Sequence, residues 1–344
     1  MIANTTRLST YASVAAALAL MFLASCGPPP PLPEPDNLFW PLPPDPPRIK
    51  YIQSIYTEDD IGRVYSLMEK LFGKEYADSM ARPYGVRTRH GSVLVSDIAL
   101  RRVLIFDLVN KRLRVLGDEG ALVTPASAVV DRSGTVYVAD AGGAKVAVYS
   151  PEGVYRTAFI LKGSRPVAVA LNDAEDRLYT VDREGHRVVV FGLDGARLFD
   201  FGERGNADGK FNMPIDITVG ANGNVYVLDA GNFRVQIFTA DGRYLSTFGS
   251  VGDRPGMFAN PKGIALDSEG HIYVTDAAFS NFQIFDLQGH VLLSIGQLGP
   301  WPGYLHLPAG IAIDENDRIY VADQLNGRIQ VFQYLNTQEQ TGKP

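Results

Sequence analysis

Cysteine is almost missing from this chain of 344 residues, with Cys26 the only one. No disulfide can form within the chain, so burial of apolar side chains has to supply its stability. Histidine is scarce, at five residues, which limits metal chemistry built on imidazoles. There is no excess of positive charge: 32 Lys+Arg stand against 38 Asp+Glu, a net charge of −6. Loss of Arg7 with the leader described below takes that figure to −7. Phosphate backbones are bound through broad positive surfaces, so nucleic acid is excluded as a partner. A serine nucleophile elbow, a phosphate loop and a haem-attachment cysteine motif are all absent. No cofactor is expected. The longest apolar run, residues 11–23, is too short to span a bilayer comfortably.

What the chain has in quantity is short strands. Residues 260–296 read NPKGIALDSEGHIYVTDAAFSNFQIFDLQGHVLLSIG. Four short apolar runs rich in Ile, Val, Tyr and Phe are separated by Asp-Ser-Glu-Gly, a polar loop and Leu-Gln-Gly. That is a four-stranded antiparallel meander, which cannot bury both its faces alone. The chain repeats it. A proline opens each unit (Pro83, Pro125, Pro166, Pro214, Pro261, Pro308), and an aspartate closes each second strand (Asp97, Asp140, Asp182, Asp229, Asp276, Asp323). The period is 41–48 residues. Four-stranded units at that period predict an all-β fold, a six-bladed β-propeller. The sixth unit has three strands only, and residues 48–56, RIKYIQSIY, alternate like a strand ahead of the first unit. This N-terminal strand is expected to pair with residues 328–332 as the outer strand of blade six, closing the ring and removing its open edges.

Upstream, residues 1–25 read as a leader: Arg7 in a weakly basic start, then the apolar run, then Leu23-Ala24-Ser25 before Cys26. This ending resembles the lipobox of bacterial lipoproteins. The resemblance implies that Cys26 is lipidated and begins the mature chain, and Gly27, not being Asp, implies sorting to the outer membrane. Membrane contact is then expected through the lipid and not through a basic patch. Residues 26–47 form a proline-rich linker, with 11 prolines between 28 and 47 that favour an extended spacer. Leu38, Phe39 and Trp40 interrupt it and are expected to pack on the propeller's side. The propeller is assigned to residues 48–336 and a polar tail to 337–344. One helix is predicted at residues 59–73, DDIGRVYSLMEKLFG, from its acidic start, its helical spacing of apolar residues and Gly73 as a stop. By topology it crosses the top face, the face of the loops that enter each blade, at the junction of blades six and one. There it either caps the channel or fills a groove.

Segments such as DAGNFRVQIF (229–238) and DQLNGRIQVF (323–332), preceded by VYV or IYV, resemble the NHL repeat. The resemblance spans residues 82–333 and is strongest in units four to six. It implies a propeller used as a protein- or RNA-binding module, a sensor domain or, in relatives, an enzyme, so it speaks to fold more than to function. Five units place a basic residue five after the marker aspartate: Asp97–Arg102, Asp140–Lys145, Asp182–Arg187, Asp229–Arg234 and Asp323–Arg328, with Asn281 in unit five. A pattern repeated around the ring is architectural, each pair bridging its own hairpin neck.

Function is sought where the units disagree. Two residues after the proline stand Gly85, Ser127, Ala168, Asp216, Gly263 and Gly310; four after it stand Arg87, Val129, Ala170, Thr218, Ala265 and Ala312. Asp216 and Arg87 break the rule of small uncharged residues, from blades that face each other across the axis. They are either a solvated pair or the core of a polar-ligand or ion site. The loops before blades four, five and six are long and alike: GERGNADGKFNMP, GSVGDRPGMFANP and GQLGPWPGYLHLP. Phe211, Phe258 and Leu305 share one place in them and are expected to plug between blades. Trp301, Tyr304 and His306 are peculiar to one loop and are the candidate rim contacts.

Propeller lyases related by the resemblance use several channel histidines on zinc. Here His90, His271 and His290 fall in bottom turns, and His186 and His306 lie in opposite halves of the top, so three do not converge and no metal site is assigned. A lactonase-like calcium site has Asp216 as its one good carboxylate, where calcium takes about 6–8 oxygens. The expectation is therefore a lipid-anchored, non-catalytic binding platform in the cell envelope with an envelope protein as partner. The alternative is a channel-site hydrolase or lyase, lactonase-like and calcium-dependent.

Overall fold

The second strand of each unit, with its VYV-type core, lies in the middle of a blade and is buried along its length, as in Val225–Asp229 and Ile272–Asp276. In five of the six units it carries a tyrosine, with Leu94 in blade one, and the tyrosine takes a hydroxyl into the interior, where a partner is required. Tyr273 and Tyr320 donate to Asp267 and Asp314 in the turn of their own blade, at 3.0 and 2.9 Å. The computed structural model describes residues 38–63, 65, 79–117, 121–172, 174 and 176–335. They form six antiparallel sheets. Blade one, for example, runs Pro83–Arg89, Ser92–Asp97, Arg102–Asp107 and Arg112–Leu116 from the axis outward. The innermost strands touch one another in ring order, and blade six touches blade one. Each of the six seams between blades holds its own apolar cluster.

The ring closes as expected. Ile49–Ile55 pairs antiparallel with Arg328–Tyr334, with Tyr51 opposite Phe332 and Ile55 opposite Ile329. Simple alternation would put Ile49, Tyr51 and Ile55 on one face. A bulge at Ile52 shifts the register. Ile49 and Tyr51 therefore enter the seam with blade five and Ile55 the seam with blade one, while Ile52 is left exposed. Phe39–Trp40 adds a fifth strand, Trp40 opposite Ile49, and Trp40 meets Phe332 edge-on at 5.8 Å. Leu38 and Trp40 thus pack on the propeller's side.

The helix expected at residues 59–73 is corrected at its start. Glu58–Ile61 is a single 3-10 turn, closed by a capping box between Thr57 and Asp60. Gly62, at φ 77°, ends it in the left-handed region, eleven residues before the stop read from Gly73. No α-helix occurs among the described residues. Residues 64 and 66–78 lie outside them, as do the leader, Cys26 and the tail from 336. Ile61 and Met80 both pack in the seam of blades six and one.

Candidate functional site

The structure brings Arg87 and Asp216 together. Arg87 reaches across the axis from blade one, and its Nη2 is ion-paired with Asp216 Oδ1 of blade four. Nη2 also donates to the Ile217 carbonyl at 3.2 Å, Nη1 to the Val86 carbonyl at 3.0 Å and Nε to the Val169 carbonyl at 3.4 Å. Asp216 accepts the backbone N–H of Ile217 on one oxygen and that of Ile264, in blade five, on the other, both at 2.9 Å. The pair therefore ties blades one, three, four and five, and both side chains are mostly buried. It also divides the channel. Below it a cavity of about 210 Å³ is walled by Val129, Ala170, Thr218 and Leu266, with Arg89 and Asp267 at its lower end. Above it lies a space of about 10 Å³ beside Tyr84, Ser127 and Lys262. Burial pushes the Tyr84 phenol above its usual pKa, with Arg183 opposing and the Asp216 charge adding to the shift.

The rim over blades four to six is held by a repeated frame. In blade six, Asp323 accepts from the His306 N–H, Asn326 Nδ2, Arg328 Nε and Gln330 Nε2. Arg328 Nη2 then donates to the carbonyls of Trp301 and Tyr304, at 2.9 and 3.1 Å, and Gln330 Oε1 accepts the Gly303 N–H at 2.8 Å. Phe211, Phe258 and Leu305 are fully buried at equivalent points, each joined to its own loop by a short parallel bridge. Burial raises the carboxyl pKa of Asp229, the blade-four counterpart, against the opposing pull of Asn212, Asn232 and Arg234.

Of the three rim candidates, Trp301 alone is exposed, at 44%. Tyr304 folds back over Gly299, and His306 is half-buried. Trp301 shares the top face with residues that the sequence did not single out: Leu298 in the same loop, Leu307 at its end, and Leu325, whose N–H reaches the His306 carbonyl at 3.1 Å. All three are exposed leucines on the blade-six edge of that face. Their signal was available as apolar residues at turn positions, where polar ones are usual.

The histidines do not converge. His271 and His290 each sit beside an aspartate of their own turn, Asp267 and Asp286, at 2.8 and 2.9 Å, and His186 Nδ1 accepts the Met213 N–H at 3.0 Å. Among the described residues no group of three or more His, Cys, Asp or Glu side chains is placed to hold a metal ion. Nor, among them, is any helix long and apolar enough to cross a membrane.

With the geometry in place, comparison with known proteins gives the repeat its family. The NHL repeat model matches residues 211–238, 258–285 and 305–332, three units that each run from the loop plug through the third strand of blades four, five and six. Among solved structures, a structural-genomics protein of unknown function from Bacteroides thetaiotaomicron is similar at TM-score 0.60 and 18% identity, over 83% of this chain and 75% of that one. A virginiamycin B lyase from Staphylococcus aureus is similar at TM-score 0.58 and 13% identity, over 84% of this chain and 100% of that one. An auxiliary nutrient binding protein from Bacteroides thetaiotaomicron is similar at 0.59 and 12%, over 75% and 70%. At these identities the likeness is one of fold. This chain is thus a six-bladed β-propeller that carries NHL repeats in blades four to six.

Proposed function

We propose that the protein is a binding platform of the cell envelope, anchored by lipid on Cys26, which docks a protein partner on the top face over blade six. The observation that carries this reading is the exposed apolar group of Trp301, Leu298, Leu307 and Leu325 on loops whose backbone is rigidly held. Exposed apolar patches on rigid loops mark contact surfaces, and tryptophan is among the residues that dominate interface energy. The axis offers less to a ligand, because Arg87 and Asp216 bond to each other and to surrounding backbone. The channel-enzyme alternative draws on the likeness to a virginiamycin B lyase fold and on the lower cavity.

The test is cross-linked capture from the cell envelope. Trp301→Ala with Leu298→Ser is expected to cut recovery of the partner at least ten-fold, and Leu100→Ser with Val123→Ser, exposed on the blade-one side of the same face, to leave it unchanged. Equal recovery from both variants would sink the rim reading. A hydrolytic or eliminating activity that survives the rim changes would favour the channel. For the anchor, Cys26→Ser should release the chain to the soluble periplasmic fraction or leave its leader uncleaved. Retention with outer membranes through detergent washes would refute lipidation.

A further inference from the structure

At the upper mouth of the channel two cations stand without an ion-pair partner among the described residues. Lys262 is the second residue of the innermost strand of blade five, where the other blades carry Tyr84, Ala126, Val167, Ile215 and Ala309. Its ammonium is half-buried and, among the described residues, has neither an ion-pair nor a hydrogen-bond partner. Arg183 directly follows the marker Asp182, where the other blades carry Ile98, Ala141, Ala230, Ala277 and Gln324. Its Nε is buried and has no hydrogen-bond partner among the described residues. Ser127 is 2% exposed, its Oγ is without a partner among the described residues, and it lines the small upper cavity with Lys262 and Tyr84.

The nearby carboxylates are otherwise engaged. Asp216 holds Arg87 and two backbone N–H groups. Asp276 accepts the N–H groups of Ala259, Asn260 and Ala278. Glu184 faces Arg165 at 3.6 Å, both on the surface. Burial lowers the Lys262 pKa, the Arg183 charge lowers it further, and Asp276 opposes them only in part. Charges taken out of water without a partner cost stability, and their collection in a concave mouth is the mark of a site kept for a ligand.

We propose that this mouth is an oxyanion site, in which a carboxylate or phosphate group takes the Lys262 ammonium, the Arg183 guanidinium and the Ser127 hydroxyl. The space above Asp216, about 10 Å³, has room for no more than a single water, so the anion sits at its opening and reaches Ser127 through that water, and the body that carries it lies on the top face. The proposal rests on the platform reading only in making that anion an acidic end of the docked partner. The anion titration below stands or falls without it.

Inorganic phosphate and acetate, each titrated calorimetrically into the purified chain at low salt, are the probes. Saturable binding is expected, at least ten-fold weaker in Lys262→Met and in Arg183→Gln. Tighter acetate binding assigns the site to a carboxylate, and tighter phosphate binding to a phosphoryl group. Lys262 is charged only below its lowered pKa, so wild-type affinity should fall as pH rises through that value, below the pH at which a free lysine titrates. Lys262→Met removes an unpartnered charge and should melt no lower than wild type. Absence of saturable binding for both probes, or binding indifferent to pH and to both substitutions, would overturn the proposal.

Discussion

In blade four the marker Asp229 accepts from Asn232, Arg234 and Gln236 as well as from the Asn212 N–H, and Arg234 carries the bonding on to the carbonyls of Ala207 and Lys210, both at 2.8 Å. In blade two the marker Asp140 accepts the N–H groups of Val123, Thr124 and Gly143, and Lys145 stands 3.9 Å away with its Nζ on the Ala121 carbonyl. The same aspartate serves both, but the reach differs. A guanidinium can grip a carboxylate and two carbonyls at once, where an ammonium acts as a point charge. The glutamine two residues on decides the rest. Gln236, Gln283 and Gln330 in blades four to six each pin a loop glycine (Gly209, Gly256, Gly303) and a carbonyl, while blades one to three carry Leu104, Ala147 and Val189 there. A tall loop on this ring thus depends on strand-three side chains that reach back to it, and the half with those side chains is the half that presents Trp301.

The largest effect is expected where the two halves are tied together. Asp216→Ala leaves Arg87 buried without its counter-charge and the Ile264 N–H without an acceptor. A loss of about 3–5 kcal/mol in urea unfolding is expected, as for other broken buried pairs. Adding Arg87→Met should recover part of it, since apolar replacement of a whole pair is often near neutral. A loss below about 1 kcal/mol for the single change would place the pair in the weak, solvated class. Next comes the contrast between necks. Arg328, whose side chain is 2% exposed, should cost about 3 kcal/mol as Arg328→Ala, and Lys145, at 20%, no more than about 1 kcal/mol as Lys145→Ala. Equal costs would remove the distinction between the halves. Smallest is a repair. Blade five has Asn281 where its neighbours have arginine, and its Oδ1 is buried without a partner among the described residues. Asn281→Arg would place a guanidinium by Asp276, with the Arg254 and Met257 carbonyls in reach by analogy with blade four. A raised urea midpoint, worth about 1 kcal/mol, is expected. A lowered one would show that the blade-five loop is not built to the frame of its neighbours.

The period and the marker residues made the ring legible, because each blade repeats one solution to one packing problem. The closing strand was legible for the same reason: a unit short of a strand and a spare strand elsewhere. The bulge at Ile52 was not, since it shows only when two distant strands are in register. Nor was the short turn at Glu58–Ile61, which Gly62 closes in the left-handed region. At the axis, Asp216 and Arg87 stood out as exceptions to the rule of small residues, and their meeting followed from the facing blades. What they bond to did not follow, because most of it is backbone. On the rim, residue type pointed to Trp301, Tyr304 and His306 together, but exposure is decided by loop geometry, and Trp301 alone projects.

The closing strand also sets an order in time. Ile55 pairs with Ile329, so a segment made near the beginning must wait for one made near the end. Until then Phe332, Ile329 and Val331 have no neighbour on their outer side, and two seams stand open. Contacts between such distant segments carry the loop-closure entropy before they return any stability, which makes them late and slow. Blades one to five can each form from local meanders as they emerge. Blade six is the step that commits the whole chain, and an emerging chain stays vulnerable to misassembly along that edge until its first strand comes back to it.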